Sequence, residues 1–128
     1  MADAHYPDDL RYHAEHDWAR IDGEQATFGV TWYAQDTLGE VVFFTPPAVG
    51  STLTRDQPYT EVESVKAVSD VVAPMSGEVL EVNDALTDNP QMINEDPYGE
   101  GWLVRVKLSD PSEADELMDA SAYVATLS

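Results

Sequence analysis

Residues 59–73 of the chain read Tyr-Thr-Glu-Val-Glu-Ser-Val-Lys-Ala-Val-Ser-Asp-Val-Val-Ala. β-Branched residues are frequent on both sides of Val65-Lys66, which predicts one strand over residues 59–65 and a second over residues 67–73. Pairing the two strands puts Val65 and Lys66 at the bend of a hairpin. The bend contains no glycine or asparagine, so the sequence predicts a type I turn, which accepts most residue types.

Further short strands are predicted on both sides of this hairpin. Asp22-Gly23 is a hairpin turn signal between a strand over residues 17–21 and another over residues 25–31. Other strands are predicted over residues 40–45, 78–82 and 102–109. In the last of these, one side carries Trp102, Val104, Val106 and Leu108, and the other carries Leu103, Arg105, Lys107 and Ser109.

Helices are predicted to be short and to lie chiefly near the C-terminal end. Residues 33–38 form a helical turn ended by Gly39, residues 84–86 and 91–94 form single turns, and residues 121–127 form a final helix. Asp110 or Ser112 can cap a further helix that has Pro111 in its first turn. Many short strands with terminal helices favour a mainly β fold, a sandwich or flattened barrel.

Length and composition limit the possible classes of protein. The 128 residues suit one domain, with residues 1–10 as an N-terminal arm and residues 110–127 as C-terminal helices. The formal net charge of −19 argues against binding to nucleic acids or anionic membranes. The absence of cysteine excludes disulfides, thiolate metal sites and cysteine nucleophiles.

The sequence also predicts where the protein is located and suggests explanations for its acidity. No apolar run reaches the roughly 18 residues typical of a membrane-spanning helix, and the acidic first ten residues are unlike a secretory signal. We therefore expect a cytoplasmic protein. The acidity has two explanations, which are attraction to basic partner surfaces and adaptation to a salty cytoplasm.

Lys66 is the candidate functional residue of the hairpin. It is one of only two lysines, and it lies at the predicted bend between the two strands, where a special role is possible. The alternative is an ordinary solvated lysine. Lys107, on the polar side of an alternating strand, illustrates that alternative.

A series of short motifs surrounds Lys66. The nearest are Glu63-Ser64-Val65-Lys66-Ala67 and Ser69-Asp70. They are followed by Ala73-Pro74, Ser76-Gly77-Glu78-Val79, Val82-Asn83, Ile93-Asn94, Pro97-Tyr98-Gly99 and Gly101-Trp102. They are preceded by Gly29-Val30-Thr31, Ala34-Gln35 and Leu38-Gly39-Glu40-Val41-Val42-Phe43. In this order, the motifs resemble those of the glycine cleavage H-protein family over about residues 10–127.

The resemblance implies a fold and a cofactor. The family is a small lipoyl carrier with a flattened barrel of two antiparallel sheets, similar to lipoyl and biotinyl domains, and with the modified lysine at a hairpin tip. Lys66 would then carry covalent lipoate. The neighbouring Glu63, Ser64, Val65 and Ala67 would serve in recognition of the hairpin tip.

The resemblance also implies partners and a reaction cycle. A pyridoxal-phosphate glycine decarboxylase transfers an aminomethyl group to the lipoyl group, and an aminomethyltransferase passes the one-carbon unit to tetrahydrofolate. A dihydrolipoyl dehydrogenase containing FAD then reoxidises the dithiol, and a lipoate-attaching enzyme modifies the lysine in the first place. The protein would be a monomeric carrier without catalytic activity of its own.

The resemblance also implies that two carboxylates shelter the lipoyl-lysine arm while it carries the aminomethyl group. In the family, the arm folds into a cleft where an acidic residue of a His-acid-Trp motif and an aspartate after the lysine hold the amine. Here these residues are Asp17 and Asp70. The family usually has glutamate at the position of Asp17, and this chain also departs at Trp32, as either a packing residue or part of the cleft wall.

Other functions remain as alternatives. The same lysine chemistry would serve a lipoyl domain of a 2-oxo-acid dehydrogenase complex, or an H-like relay that donates lipoyl groups to other carriers. A biotin carrier is disfavoured because no methionine flanks Lys66. A zinc site at His5, His13 and His16 would need a helix that the sequence does not predict, so solvated histidines are expected there. Trp18 and Trp102 are expected in the core.

Overall fold

The computed structural model describes residues 5–127. Nine strands are present in this part of the chain: Arg11–His13 (β1), Asp17–Asp22 (β2), Gln25–Val30 (β3), Val41–Thr45 (β4), Thr52–Leu53 (β5), Pro58–Ser64 (β6), Val68–Val72 (β7), Gly77–Val82 (β8) and Val104–Leu108 (β9). The α-helices are Trp32–Leu38 (α1), Ala85–Asp88 (α2), Met92–Glu95 (α3) and Ala120–Thr126 (α4), and a 3-10 helix covers Pro111–Glu116.

The strands form two antiparallel sheets. The larger has the order β1-β2-β3-β9-β8-β5, and the smaller has the order β4-β6-β7. The two sheets do not close into a barrel, so the flattened sandwich describes the fold better. The mainly β fold with two antiparallel sheets and short helices is confirmed.

Two hydrophobic clusters hold these layers together. The main cluster is formed by inward-facing side chains of both sheets, including Phe28, Val62 and Val106. A second, aromatic cluster joins β1 and β2 to α4 through Tyr12, Trp18 and Tyr123. Burial of apolar surface on this scale is the main stabilising contribution to such a fold.

The hairpin of β6 and β7 is the feature that positions the functional region. The strands pair in a register that sets Glu63 opposite Val68 and Glu61 opposite Asp70. Outward and inward side chains alternate along β6, as expected for a strand with one buried face. Strand β7 is at the end of the smaller sheet, so one of its edges is free of strand partners.

The sequence did not predict β1 or β5, and the helix predicted after Asp110 is a 3-10 helix. The other predicted elements agree with the structure except in two regions. The predicted strand over residues 102–109 begins only at Val104, and Leu103, expected on the polar side, is fully buried. Leu103 lies before the regular alternation begins, and its amide donates a hydrogen bond to the Phe28 carbonyl at 2.9 Å. In the predicted N-terminal arm, Tyr6 and Leu10 are buried in the aromatic cluster, while residues 1–4 lie outside the described part of the chain.

Trp18 is fully buried, which confirms it as a core residue, whereas Trp102 is only partly buried and packs against the aromatic cluster. Within residues 5–127, no helix is long and apolar enough to span a membrane.

Candidate functional site

Lys66 lies exposed in the turn between β6 and β7, as the sequence predicts. The Ser64 amide donates to the Ala67 carbonyl at 2.8 Å, which closes the turn. None of the four turn residues has a positive φ, so the bend requires no glycine. The Ala67 amide donates to the Ser64 hydroxyl, not to the Ser64 carbonyl as in a hydrogen-bonded type I turn. The attachment candidate is therefore presented on a short, closed hairpin tip.

Ser64 shapes this turn from the inside. Its hydroxyl accepts from the Lys66 amide at 3.3 Å and from the Ala67 amide at 3.1 Å. The residue is 7% exposed, whereas Val65 is 69% exposed. Of the predicted recognition residues, Glu63, Val65 and Ala67 are exposed, and Ser64 contributes by fixing the backbone beneath them.

The hairpin tip rests on the segment that connects α1 to β4. The Val65 amide donates to the Glu40 carbonyl at 3.1 Å. Gly39, which ends α1, has a φ of 80° and presents a bare backbone to the Lys66 side chain. A Cβ at Gly39 would lie 3.4 Å from the Lys66 Cε.

Asn94 ties this support together, and the sequence reasoning assigned it no role. Its amide nitrogen donates to the Gly39 carbonyl at 2.7 Å and to the Gln35 side chain at 3.1 Å. Its side-chain oxygen accepts from the Val41 amide at 2.8 Å. One side chain of α3 thus fixes the end of α1 and the start of β4.

A cleft of about 290 Å³ opens beside the hairpin, between α1 and the free edge of β7. Its volume is close to the lower end of the range for small-molecule sites. Both predicted arm-binding residues line it, and the lining includes Glu15, His16, Asp17, Val30, Tyr33, Ala34, Thr37, Leu38, Ala67, Val68, Ser69, Asp70 and Val71. Trp32 does not line this cleft but stacks on His5 with ring centroids 4.0 Å apart.

Asp17 is the buried carboxylate of the cleft. It is 2% exposed, and its Oδ2 has no hydrogen-bond partner within residues 5–127. Burial raises the pKa of Asp17 well above its ordinary value, and the negative charge of Glu15 raises this pKa further. A cationic group entering the cleft would offer this oxygen both a donor and an opposite charge.

Tyr59 does not line the cleft but interacts electrostatically with Asp17, and Asp70 lines the cleft from β7. The Tyr59 hydroxyl is buried without a hydrogen-bond partner in the described chain, and its pKa is raised by burial and then by the negative charge of Asp17. Asp70 is exposed on β7. The cleft is therefore lined by one buried carboxylate, Asp17, and two exposed carboxylates, Glu15 and Asp70, a combination that suits an amine.

His16 forms part of the cleft wall, which the sequence did not predict. Its Nδ1 is 2.7 Å from the Tyr123 hydroxyl, and that hydroxyl is 2.8 Å from the Thr31 hydroxyl. Thr31 in turn caps α1 by accepting from the Ala34 amide at 3.3 Å. The C-terminal helix is thereby connected to the cleft.

The expectation that the three histidines are simply solvated is wrong for two of them. His16 is partly buried, and burial lowers its pKa. His13 places its Nε2 2.6 Å from Asp56 and has a side chain only 12% exposed. Within residues 5–127, no group of three or more His, Cys, Asp or Glu side chains is placed to hold a metal ion.

Comparisons with known proteins agree on one family. The family model for the glycine cleavage H-protein matches residues 10–128. A glycine cleavage system H protein of Symbiobacterium thermophilum is 51% identical over 122 residues, which cover 95% of each chain. A probable glycine cleavage system H protein of Haloarcula marismortui is 51% identical over 91% of this chain and 92% of its own.

A solved structure gives the same result. The crystal structure of a glycine cleavage system H protein from Mycobacterium marinum superposes with a TM-score of 0.87 at 40% identity. The match covers 94% of this chain and 98% of that one.

Proposed function

The chain belongs to the glycine cleavage H-protein family, and from this membership we propose that Lys66 is the residue that carries the lipoyl group. The protein is the lipoyl carrier of the glycine cleavage system, and its family holds lipoate covalently. The single observation that carries the assignment to Lys66 is its exposed position on a closed hairpin tip beside a cleft with an unpaired buried carboxylate.

Attachment requires one bond at the Lys66 amine. An amide bond forms between Nζ and the carbonyl carbon of an activated lipoyl group, while the activating group leaves and the amine gives up a proton. An ammonium group has no lone pair with which to attack, so the modifying enzyme must first remove one proton from Nζ, and the second proton leaves as the amide forms. An exposed hairpin tip suits this step because an enzyme pocket can enclose it.

The cleft residues provide binding and shelter. Asp17 would accept a protonated amine deep in the cleft, and Asp70 would hold its exposed side, since charge-assisted hydrogen bonds strengthen where water is excluded. The walls of α1 and β7 exclude water from that amine. The bound lipoyl group supplies the sulfur chemistry, carrying an aminomethyl unit and two electrons between enzymes.

The partners and the domain organisation belong to the same proposal. We assign a pyridoxal-phosphate glycine decarboxylase, a tetrahydrofolate-dependent aminomethyltransferase, an FAD-containing dihydrolipoyl dehydrogenase and a lipoate-attaching enzyme as partners. Residues 1–128 would act as one monomeric, non-catalytic carrier domain in the cytoplasm, with the chemistry left to these enzymes. The presentation of Lys66 outside the protein core supports this division of roles.

The test of the attachment site is the intact mass of protein purified from its native host, followed by peptide mapping. One lipoyl group confined to Lys66 is the expected result, and a Lys66→Arg variant should lack the added mass. Lys107, which is also exposed, provides the matched variant Lys107→Arg, which should remain fully modified. Native protein without lipoate, from cells that make other lipoylated proteins, would refute the assignment.

The role of the cleft is tested by the rate at which water hydrolyses the aminomethyl group from the lipoyl group on Lys66. Asp17→Asn and Asp70→Asn should each speed that loss, because each removes a negative charge from the cleft. Asp22→Asn is the matched control, since Asp22 is exposed at the opposite end of β2. Unchanged rates in both cleft variants would remove these residues from the mechanism.

A further inference from the structure

Four apolar side chains are exposed around the hairpin tip. Phe43 is 55% exposed, Val42 39%, Val65 69% and Val68 58%. We call these four residues the hairpin patch. Clustered apolar side chains on a surface otherwise rich in charge mark interaction sites more often than scattered ones do.

A β-bulge produces part of the hairpin patch. The register between β4 and β6 shifts between Val41 and Phe43. Val42 is therefore an extra residue of β4, and both it and Phe43 are exposed instead of alternating. Without the bulge, only one of these two neighbours would face outward.

The pairing of the strands brings the patch next to Lys66. Phe43 lies directly opposite Glu63, and Glu63 lies directly opposite Val68. Directly opposed residues point to the same face of a sheet with neighbouring Cβ atoms about 5 Å apart. The three side chains thus form one row across the outer face, at the end of the strands that leads into Val65 and Lys66.

Besides Lys66 itself, the charged side chains on the strands beside the patch are acidic. Glu61 and Asp70 are directly opposed on the same outer face, and Glu63 lies within the row of the patch. No ion pair involves these three carboxylates in the described part of the chain. Directly opposed like charges destabilise a sheet, so a basic surface placed over them would relieve repulsion.

We propose that the hairpin patch is the docking surface for the lipoate-attaching enzyme, with Phe43 as its anchor. The matching surface of that enzyme would be an apolar pocket bordered by lysine or arginine. The enzyme that modifies Lys66 must cover the hairpin tip, and the patch is the apolar area available to it there. This inference rests on Lys66 being the attachment site.

The test is the kinetics of lipoylation of the unmodified protein by a lipoate ligase supplied with lipoate and ATP, followed by intact mass. Phe43→Ser should raise the KM for the carrier about tenfold or more with kcat unchanged, because buried aromatic anchors dominate interfaces. Val49→Ser is the matched control. Val49 is 63% exposed but lies outside the patch, so its loss should leave KM unchanged.

A second variant guards against a folding defect. Val68→Thr keeps a β-branched residue in β7 and should raise KM at least threefold, with a thermal unfolding curve like that of the wild type. Raising the salt concentration should raise KM for the wild type, because the acidic border attracts the enzyme.

The outcomes separate the two proposals. Wild-type protein that gains no lipoyl group at Lys66 would refute the attachment site, and the docking surface with it. Wild-type protein modified at Lys66, with unchanged KM in folded Phe43→Ser and Val68→Thr variants, would refute the docking surface alone.

Discussion

The side chain of Lys66 lies across the backbone of Gly39, with its Cε 3.4 Å from the position that a Cβ on Gly39 would occupy. The helix that ends at Gly39 thus provides a surface against which Lys66 packs. This contact links the conformation of a helix end to the position of the Lys66 side chain.

Gly39→Ala should reduce the free energy of unfolding by about 1–3 kcal/mol, because the φ of 80° and ψ of −159° at this position form a combination that essentially only glycine adopts. The new methyl group should also change the environment of the Lys66 side chain. Urea unfolding measures the first effect, and the NMR chemical shift of the Lys66 Cε measures the second. Gly23→Ala is the control, since Gly23 has a φ of 64° with no atom within 4 Å of an added Cβ. It should lose similar stability and leave the Lys66 signal in place.

Ser64→Ala should loosen the hairpin tip. The buried hydroxyl is lost as acceptor for two amides, so we expect a loss of about 1 kcal/mol in the free energy of unfolding. Faster hydrogen exchange at the Lys66 and Ala67 amides should accompany it. The exposed Ser109→Ala should change neither quantity. Unaltered exchange in Ser64→Ala would contradict the role given to the hydroxyl.

Asp17→Asn should stabilise the unmodified protein at neutral pH. Burial raises the folded-state pKa of Asp17, so its carboxyl favours folding below the ordinary value of 3.8 and loses that contribution as pH rises through the raised pKa. The stability gained by the variant should therefore be small at pH 3 and should grow as pH increases. Urea unfolding across that range measures it, and a constant difference would show that Asp17 does not titrate in this way.

His16 should make the protein less stable in mild acid. Burial lowers its folded-state pKa, so the neutral ring stabilises the fold above the ordinary value of 6.5 and that contribution is lost as pH falls through the lowered pKa. In His16→Asn, which tolerates the positive φ of 73° at this position, the loss on going from pH 8 to pH 5 should be smaller. An equal loss in both proteins would assign the acid sensitivity to other groups.

Most of the strands and the hairpin could be predicted from the sequence because the patterns that indicate them are local. Alternation, β-branched residues and Asp22-Gly23 act over a few positions, and the resulting strands agree with the structure to within a residue or two. Leu103 was misplaced because tertiary packing overrode alternation before the strand begins. The flattening of the two sheets into a sandwich without closure depends on long-range pairing, which local patterns do not encode.

Only part of the candidate site could be predicted from the sequence. The convergence of Asp17 and Asp70 on one cleft came from a family resemblance, since the two residues are far apart in sequence. The contact of Asn94 with Gly39 spans 55 positions and that of Tyr123 with His16 spans 107 positions. No sequence motif predicts either contact. The burial of Ser64 also required knowledge of which side of the turn faces the core.

The free edge of β7 has a consequence for behaviour at high protein concentration. An unpaired strand edge can recruit a strand from a second molecule, which begins aggregation. In this chain α1 occupies the space across the cleft from that edge, and Asp70 places a negative charge on the strand itself. The same architecture that lines the cleft therefore also hinders strand addition, so the cleft can stay open without exposing an unprotected strand edge.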